Sequence, residues 1–430
     1  MFSKIKNTAA ALLFLVILFS GLCYLGSNGY NKAFRVPGEG FRPVPKTLSA
    51  RRTADKPLAG LASRPLSPEQ RLGFFYDLDD TVENKLTDSL DRDKFFIEGY
   101  GMTQHLLGRR VMEDVDPQHT VVRLSDGSLR FADPDASYQD PTPHAEALAA
   151  FRDALSEEKN IPLLYVQVPQ KYNPDAGVTL PDGLSDHANS QADTFLQALA
   201  ALDVDTLDLR PALLETGRYP SLFFSTDHHW TAEGAFIGWQ ALAEKLEQDY
   251  SFNIPFTATN PRYWNQTTLE DFFLGSQGKR VGSAYAGLDD FEIWLPGFET
   301  DFSYQIPIQG YLEEGTFGEA LLFPEYLKNE DLYQNNPYVF FSGGDFPFAR
   351  MKNRSNPNGP TVVLLRDSFA CPMAPFMALG CGELVTMDLR SFREDLMKYI
   401  SWVNADMVVV AYSPGAFSHE AFFTFKEVGP

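Results

Sequence analysis

Cysteine is scarce, three in 430 residues. That is too few for a disulfide scaffold, and no Cys-x-x-Cys pair is present for zinc or thioredoxin-type chemistry. Positive charge is also short: 36 Lys and Arg stand against 57 Asp and Glu, a formal net charge of −21. This balance argues against a nucleic-acid backbone as partner, which needs clustered cations. Histidine is rare, seven in all, and no internal repeat is present. Apolar residues are not short. With 44% hydrophobic and 13% aromatic residues the chain builds a large core, which excludes global disorder. Its length allows about two to three domains.

Lys4 and Lys6 precede an uncharged run from Thr8 to Leu25, just long enough to cross a bilayer as a helix. A cleavable signal peptide has the same charged-then-apolar layout. No small-x-small cleavage site follows, and Leu22 stands before Cys23 where a lipoprotein signal has a small residue. The reading is an uncleaved signal anchor over residues 1–27, with the lysines inside and the rest of the chain outside the cytoplasmic membrane. Residues 28–70 interleave prolines such as Pro37, Pro43 and Pro57 with Arg35, Arg42, Arg51 and Arg52, the composition of an extended stalk.

Residues 71–430 read as one globular catalytic domain. Ala145–Glu158 places Leu148, Phe151 and Leu155 on one helical face, and Ser190–Leu202 and Thr231–Glu247 repeat the pattern. Ile161–Val168, Thr206–Leu209, Thr361–Leu365, Leu384–Leu389 and Met407–Tyr412 are short apolar runs of strand type. Such strands alternating with helices predict an α/β fold, a doubly wound parallel sheet with helices on both faces. Residues 250–353 lose the helical period and are rich in Gly, Tyr, Phe and Pro, which predicts a β-rich insertion. Insertions of this kind supply substrate-binding walls.

Two blocks stand out. Thr226-Asp227-His228-His229-Trp230-Thr231 leads into a helix, and Arg366-Asp367-Ser368-Phe369 directly follows an apolar strand. In α/β sheets catalytic groups gather at such junctions. A serine there presents its hydroxyl at an exposed tip, with the following backbone N–H groups available to an oxyanion. It needs a base. Residues two apart in an extended loop project to one side, so Asp227 is expected to orient His229, with His228 facing away. Ser368, His229 and Asp227 then form a Ser-His-Asp relay. The bland alternatives are a helix cap at Asp367-Ser368 and a structural or metal-binding histidine cluster. No further ligand at recognisable spacing is evident, so neither a metal nor a cofactor is expected.

The two blocks, in this order, resemble the DHHW proteins, which are similar to alginate-type O-acetyltransferases of the SGNH hydrolase superfamily. The stretches Phe95–Val115, Leu164–Tyr172, Asn189–Leu199 and Gly275–Gly282 add to the resemblance. It implies an SGNH-like fold with Ser368 as nucleophile, His229 as base and Asp227 as its orienting acid. Many relatives carry Gly at the position of Arg366, so Arg366 is a candidate for an anionic substrate group. Lys171 is a further candidate facing the site, and Asn189 and Gly344 are candidates for the unassigned part of the oxyanion hole. The function implied is acetyl transfer onto hydroxyls of a cell-surface or secreted polysaccharide through an acetyl-enzyme. The resemblance also implies a multi-pass membrane O-acyltransferase as acetyl donor. An esterase with the same triad, a non-catalytic glycan-binding or assembly protein and, more weakly, a metal-dependent hydrolase are the competing readings. Cys371 and Cys381 flank the segment after Ser368 and form either a disulfide or two buried thiols.

Overall fold

A computed structural model describes residues 94–114, 116–132 and 137–425. The expected anchor and stalk lie outside the described residues. Among the described residues no helix is long and apolar enough to cross a membrane. The chain divides into two compact units, Met1–Leu107 and Gly108–Pro430. Of the first, the described part is helix α1, Phe95–Leu106.

The second unit begins with β1 (Val111–Met112), β2 (Val121–Arg123) and β3 (Leu129–Phe131), which pair into a small antiparallel sheet. Helix α2 (Thr142–Lys159), β4 (Leu163–Gln167), α3 (Ala188–Ala201), β5 (Asp205–Asp208) and α4 (Ala232–Tyr250) follow. Next come β6 (Trp264–Phe273), α5 (Ser276–Val281), β7 (Asp289–Pro296), β8 (Phe302–Ile306), β9 (Tyr311–Gly315) and β10 (Ala349–Asn353). The chain closes with β11 (Thr361–Arg366), α6 (Ala370–Ala378), β12 (Glu383–Met387), α7 (Leu396–Trp402) and β13 (Met407–Tyr412).

Eight strands share one sheet, in the order β5-β4-β13-β11-β12-β10-β8-β9. The five from β5 to β12 are parallel, and the remaining pairs are antiparallel. The expected parallel sheet is therefore a mixed one. Only four residues separate β8 from β9, and a connection that short closes a hairpin, whereas parallel strands need a crossover of a dozen or more residues. The 250–353 stretch carries strands, as expected of a β-rich insertion: β8, β9 and β10 extend the main sheet, while β6 and β7 form their own ribbon.

Alternation along the parallel strands explains their continuous apolar sequence. Val362 and Leu364 of β11 enter the core beside Phe236, Trp239 and Leu242 of α4, and Val363 and Leu365 enter the core beside Leu148, Phe151 and Phe195 of α2 and α3. Both faces are covered, so every position must be apolar. The carboxyl ends of β4, β11 and β13 lie together, and the segments leaving them carry Lys171, Ser368 and Ser413 to one cleft.

Candidate active site

Ser368 sits in the turn between β11 and α6, held from below. Asp367 is buried, accepting from the Phe369 N–H (3.0 Å) and, across to the segment leaving β13, the Ser413 N–H (2.7 Å). Trp230 Nε1 donates to the Phe369 carbonyl at 2.7 Å, and the Tyr338 hydroxyl donates to the Ser368 carbonyl at 3.0 Å. These bonds leave the hydroxyl as the free end of the turn.

The loop that carries Asp227 and His229 is fixed from three sides. An isolated bridge pairs Phe223 with Trp230 at its base, and Thr231 caps α4 by accepting from the Gly234 N–H. Asp289, the first residue of β7, is buried and accepts from the N–H groups of Ser225 and Thr226 and from Thr226 Oγ1. From the third side α5 abuts the loop: Gly275 donates to Thr226 Oγ1, Ser276 N–H to Asp227 Oδ2 (2.7 Å) and Gly278 N–H to the Thr226 carbonyl. A Cβ on Gly275 would stand 2.3 Å from Asp227 Cβ, so only glycine permits this approach.

The three groups meet. His229 Nε2 lies 2.8 Å from Ser368 Oγ, and His229 Nδ1 lies 2.6 Å from Asp227 Oδ1. Burial alone would raise the Asp227 pKa, but both histidines, the His229 hydrogen bond and the Ser276 N–H hold it well below the ordinary carboxylate range. An ionised carboxylate only accepts, so Nδ1 carries the ring proton and Nε2 offers its lone pair to the Ser368 O–H. Tyr338 stacks on the His229 ring at 3.9 Å and fixes its plane.

His228 does not face away. The loop is bent rather than extended, and the ring packs on His229 (3.8 Å), with Nδ1 3.2 Å from Ser276 Oγ. Desolvation, then His229, lowers its pKa and favours the neutral form. Asp227, His228 and His229 place potential metal-ligand atoms within 4.8 Å of one another. Those of Asp227 and His229 are already engaged, on each other and on Ser276 and Ser368, so the cluster lacks the free donors a metal centre needs.

The remaining candidates take other roles. Arg366 is 1% exposed and points beneath the turn, bonded to Asp345, the Gly344 carbonyl and Cys371 Sγ, so it is withheld from any substrate. Gly344 gives its carbonyl to Arg366 and does not border the Ser368 cleft. Asn189 donates to the Tyr172 carbonyl and does not line the Ser368 cleft. Lys171 borders the Ser368 cleft, as expected of a residue facing the site. It is buried and donates to the carbonyls of Leu129 and Ser225, tying β3 to the loop, and desolvation lowers its pKa to about 8. Of the N–H groups following Ser368, those of Phe369, Ala370 and Cys371 are bonded within the turn. Cys371 and Cys381 are free, buried thiols. Asp289, Tyr338 and Gln277 are neighbours that sequence reasoning missed, although Gln277 lies in the quoted stretch Gly275–Gly282.

Ser368 opens into a cleft of about 290 Å³ bordered by Arg130, His228, Gln277, Arg390 and His419. A larger cavity, about 1080 Å³, lies on the insertion and contains none of Ser368, His229 or Asp227.

Residues 129–268 match the family model of the SGNH hydrolase-like domain of acetyltransferase AlgX, a span that includes Asp227 and His229. The fold is similar to that of Bacillus cereus PatB1, solved with a sulfonyl adduct: 20% identity, TM-score 0.58, covering 74% of this chain and 100% of that one. It is also similar to a DHHW family protein from Eubacterium siraeum, at 17% identity and TM-score 0.55, covering 75% and 99% of the two chains. No curated protein sequence matches significantly. The expected resemblance holds: the chain carries an SGNH-like α/β fold similar to AlgX-type acetyltransferases and to a DHHW protein.

Proposed function

We propose that this protein is a serine O-acetyltransferase that moves acetyl groups onto hydroxyls of an extracytoplasmic polysaccharide. The observation that carries the reading is the chain of contacts from Ser368 Oγ through His229 to Asp227, at 2.8 and 2.6 Å. The match to an acetyltransferase domain supports acetyl as the group transferred. His229 takes the Ser368 proton as Oγ attacks the donor ester, and Asp227 stabilises the imidazolium. After the donor alcohol leaves, His229 activates the sugar hydroxyl that accepts the acetyl group. The apolar run from Thr8 to Leu25 supports a membrane tether with the catalytic unit outside. Acetyl-CoA is cytoplasmic, so an extracytoplasmic donor needs a supply route, and the family resemblance implies a multi-pass membrane O-acyltransferase in that role.

The test is acetyl transfer from 4-nitrophenyl acetate to defined oligosaccharides, following acetylated sugar and free acetate together. The reading expects acetylated sugar with wild type and none with Ser368→Ala. Acetate alone, with every acceptor tried, makes the protein an esterase. Equal yields from wild type and Ser368→Ala remove the serine enzyme altogether.

A further inference from the structure

A serine nucleophile creates a charge it cannot hold by itself. When Ser368 Oγ adds to an ester carbonyl, its proton passes to His229 Nε2 and the carbonyl π pair becomes an oxyanion. Collapse restores the carbonyl and expels the donor alkoxide, which takes the proton from His229. The acceptor hydroxyl then repeats addition and collapse, its proton going through His229 to Ser368. Both additions need donors fixed in advance where the oxyanion appears.

The turn itself offers little. The N–H groups of Phe369, Ala370 and Cys371 are spent on Asp367 and Ser368, and within residues 368–371 only Ser368 retains an N–H without a protein acceptor. A side-chain donor is required.

Gln277 is 0% exposed as a residue, yet it borders the Ser368 cleft. Its Oε1 accepts from Ser276 Oγ at 3.3 Å. Nε2 is buried with no hydrogen-bond partner. A native fold rarely leaves a buried amide donor unsatisfied, and a catalytic role is one of the explanations such a group admits. Among the described residues with an unpaired buried side-chain atom, Gln277 is the one that borders the Ser368 cleft. The residue is also rigidly placed. Gly275 and Gly278 are close-packed against Asp227 and Thr226, and the N–H of Ser276 is bonded to Asp227, so α5 is built onto the loop that carries the base.

We infer that Gln277 Nε2 and the Ser368 N–H together form the oxyanion hole, with Gln277 a catalytic residue. This inference rests on the serine-nucleophile reading above, and the experiment separates the two. Rates are compared for 4-nitrophenyl acetate and its thionoacetate counterpart, using wild type, Gln277→Ala, Gln277→Glu and Ser368→Ala. A thionoester develops charge on sulfur, a poor hydrogen-bond acceptor, so it draws little from the hole. Gln277→Ala and Gln277→Glu are expected to lower kcat for the ester about 10²–10³-fold while the thionoester changes far less. A merely structural role lowers both substrates equally and overturns the assignment, as do variants with wild-type ester rates. Ser368→Ala turning over the ester at wild-type rate instead defeats the nucleophile reading. Independently of any variant, a crystal structure of wild-type protein reacted with a sulfonyl fluoride should place an adduct oxygen about 3 Å from Gln277 Nε2. Adduct oxygens that leave Nε2 unpaired overturn the assignment.

Discussion

The Asp227 carboxylate accepts three hydrogen bonds, two from His229 and one from the Ser276 N–H, and is buried among them. Replacing it with Asn keeps the shape but puts an amide where only an acceptor serves, so His229 is held in the wrong tautomer. Asp227→Asn should lower kcat by roughly 10³–10⁴-fold with little change in KM, read from steady-state ester hydrolysis. Lys171 makes a different prediction. Its native pKa, about 8, lies below its ordinary value, so between the two the unfolded chain binds the extra proton and stability rises with pH. The burial penalty is present in full below pH 8 and is relieved as pH climbs toward the unfolded value. The stability of wild type relative to Lys171→Met should therefore improve across that window by up to about 3 kcal/mol, measured by urea unfolding at a series of pH values. A flat difference contradicts the burial of a charged Lys171.

At the scale of elements, the site is a seam between α5, the loop before α4 and the turn after β11. Gly275→Ala drives a methyl group into Asp227 and shifts α5 away from it. A displacement of that size is expected to cost about 10²-fold or more in ester turnover. The β11 turn is joined to the insertion by Arg366 and Asp345. Asp345→Asn leaves a fully buried guanidinium without its carboxylate and should destabilise the protein by on the order of 3 kcal/mol in urea unfolding, with Asp345→Asn/Arg366→Met recovering part of the loss. Sequence showed the parallel strands because burial on both faces leaves β11 and β13 apolar at nearly every position. It did not show the insertion strands: β9 is mostly exposed and β6 is buried only at its ends, so neither carries a readable period. Ser368, His229 and Asp227 could be singled out because they fall in two compact blocks, which the structure brings into contact. Asp289, Tyr338 and Gln277 reach the site through contacts dozens of positions apart, which no local spacing encodes. The orientation of His228 was misread because the loop is bent by the Phe223–Trp230 bridge.

For the whole molecule, three cysteines in 430 residues leave stability to the cores on the two faces of the sheet. Cys371 sits in the first turn of α6, the helix advances roughly 10 Å from there to Ala378 before the chain reaches Cys381, and both thiols are free. Burial pushes the Cys381 thiol up to about 12 and raises Cys371 as well. Both should resist a thiol reagent in the native state and react only in guanidinium, and reductant should leave Tm unchanged.

The central claim is that Ser368 accepts the acetyl group because His229 is there to take its proton. The direct measurement is peptide mass mapping after rapid acid quench of protein mixed with 4-nitrophenyl acetate. The account predicts acetyl on Ser368 in wild type and its absence in His229→Ala; acetyl on some other residue, or an unmodified Ser368 during steady turnover, contradicts it.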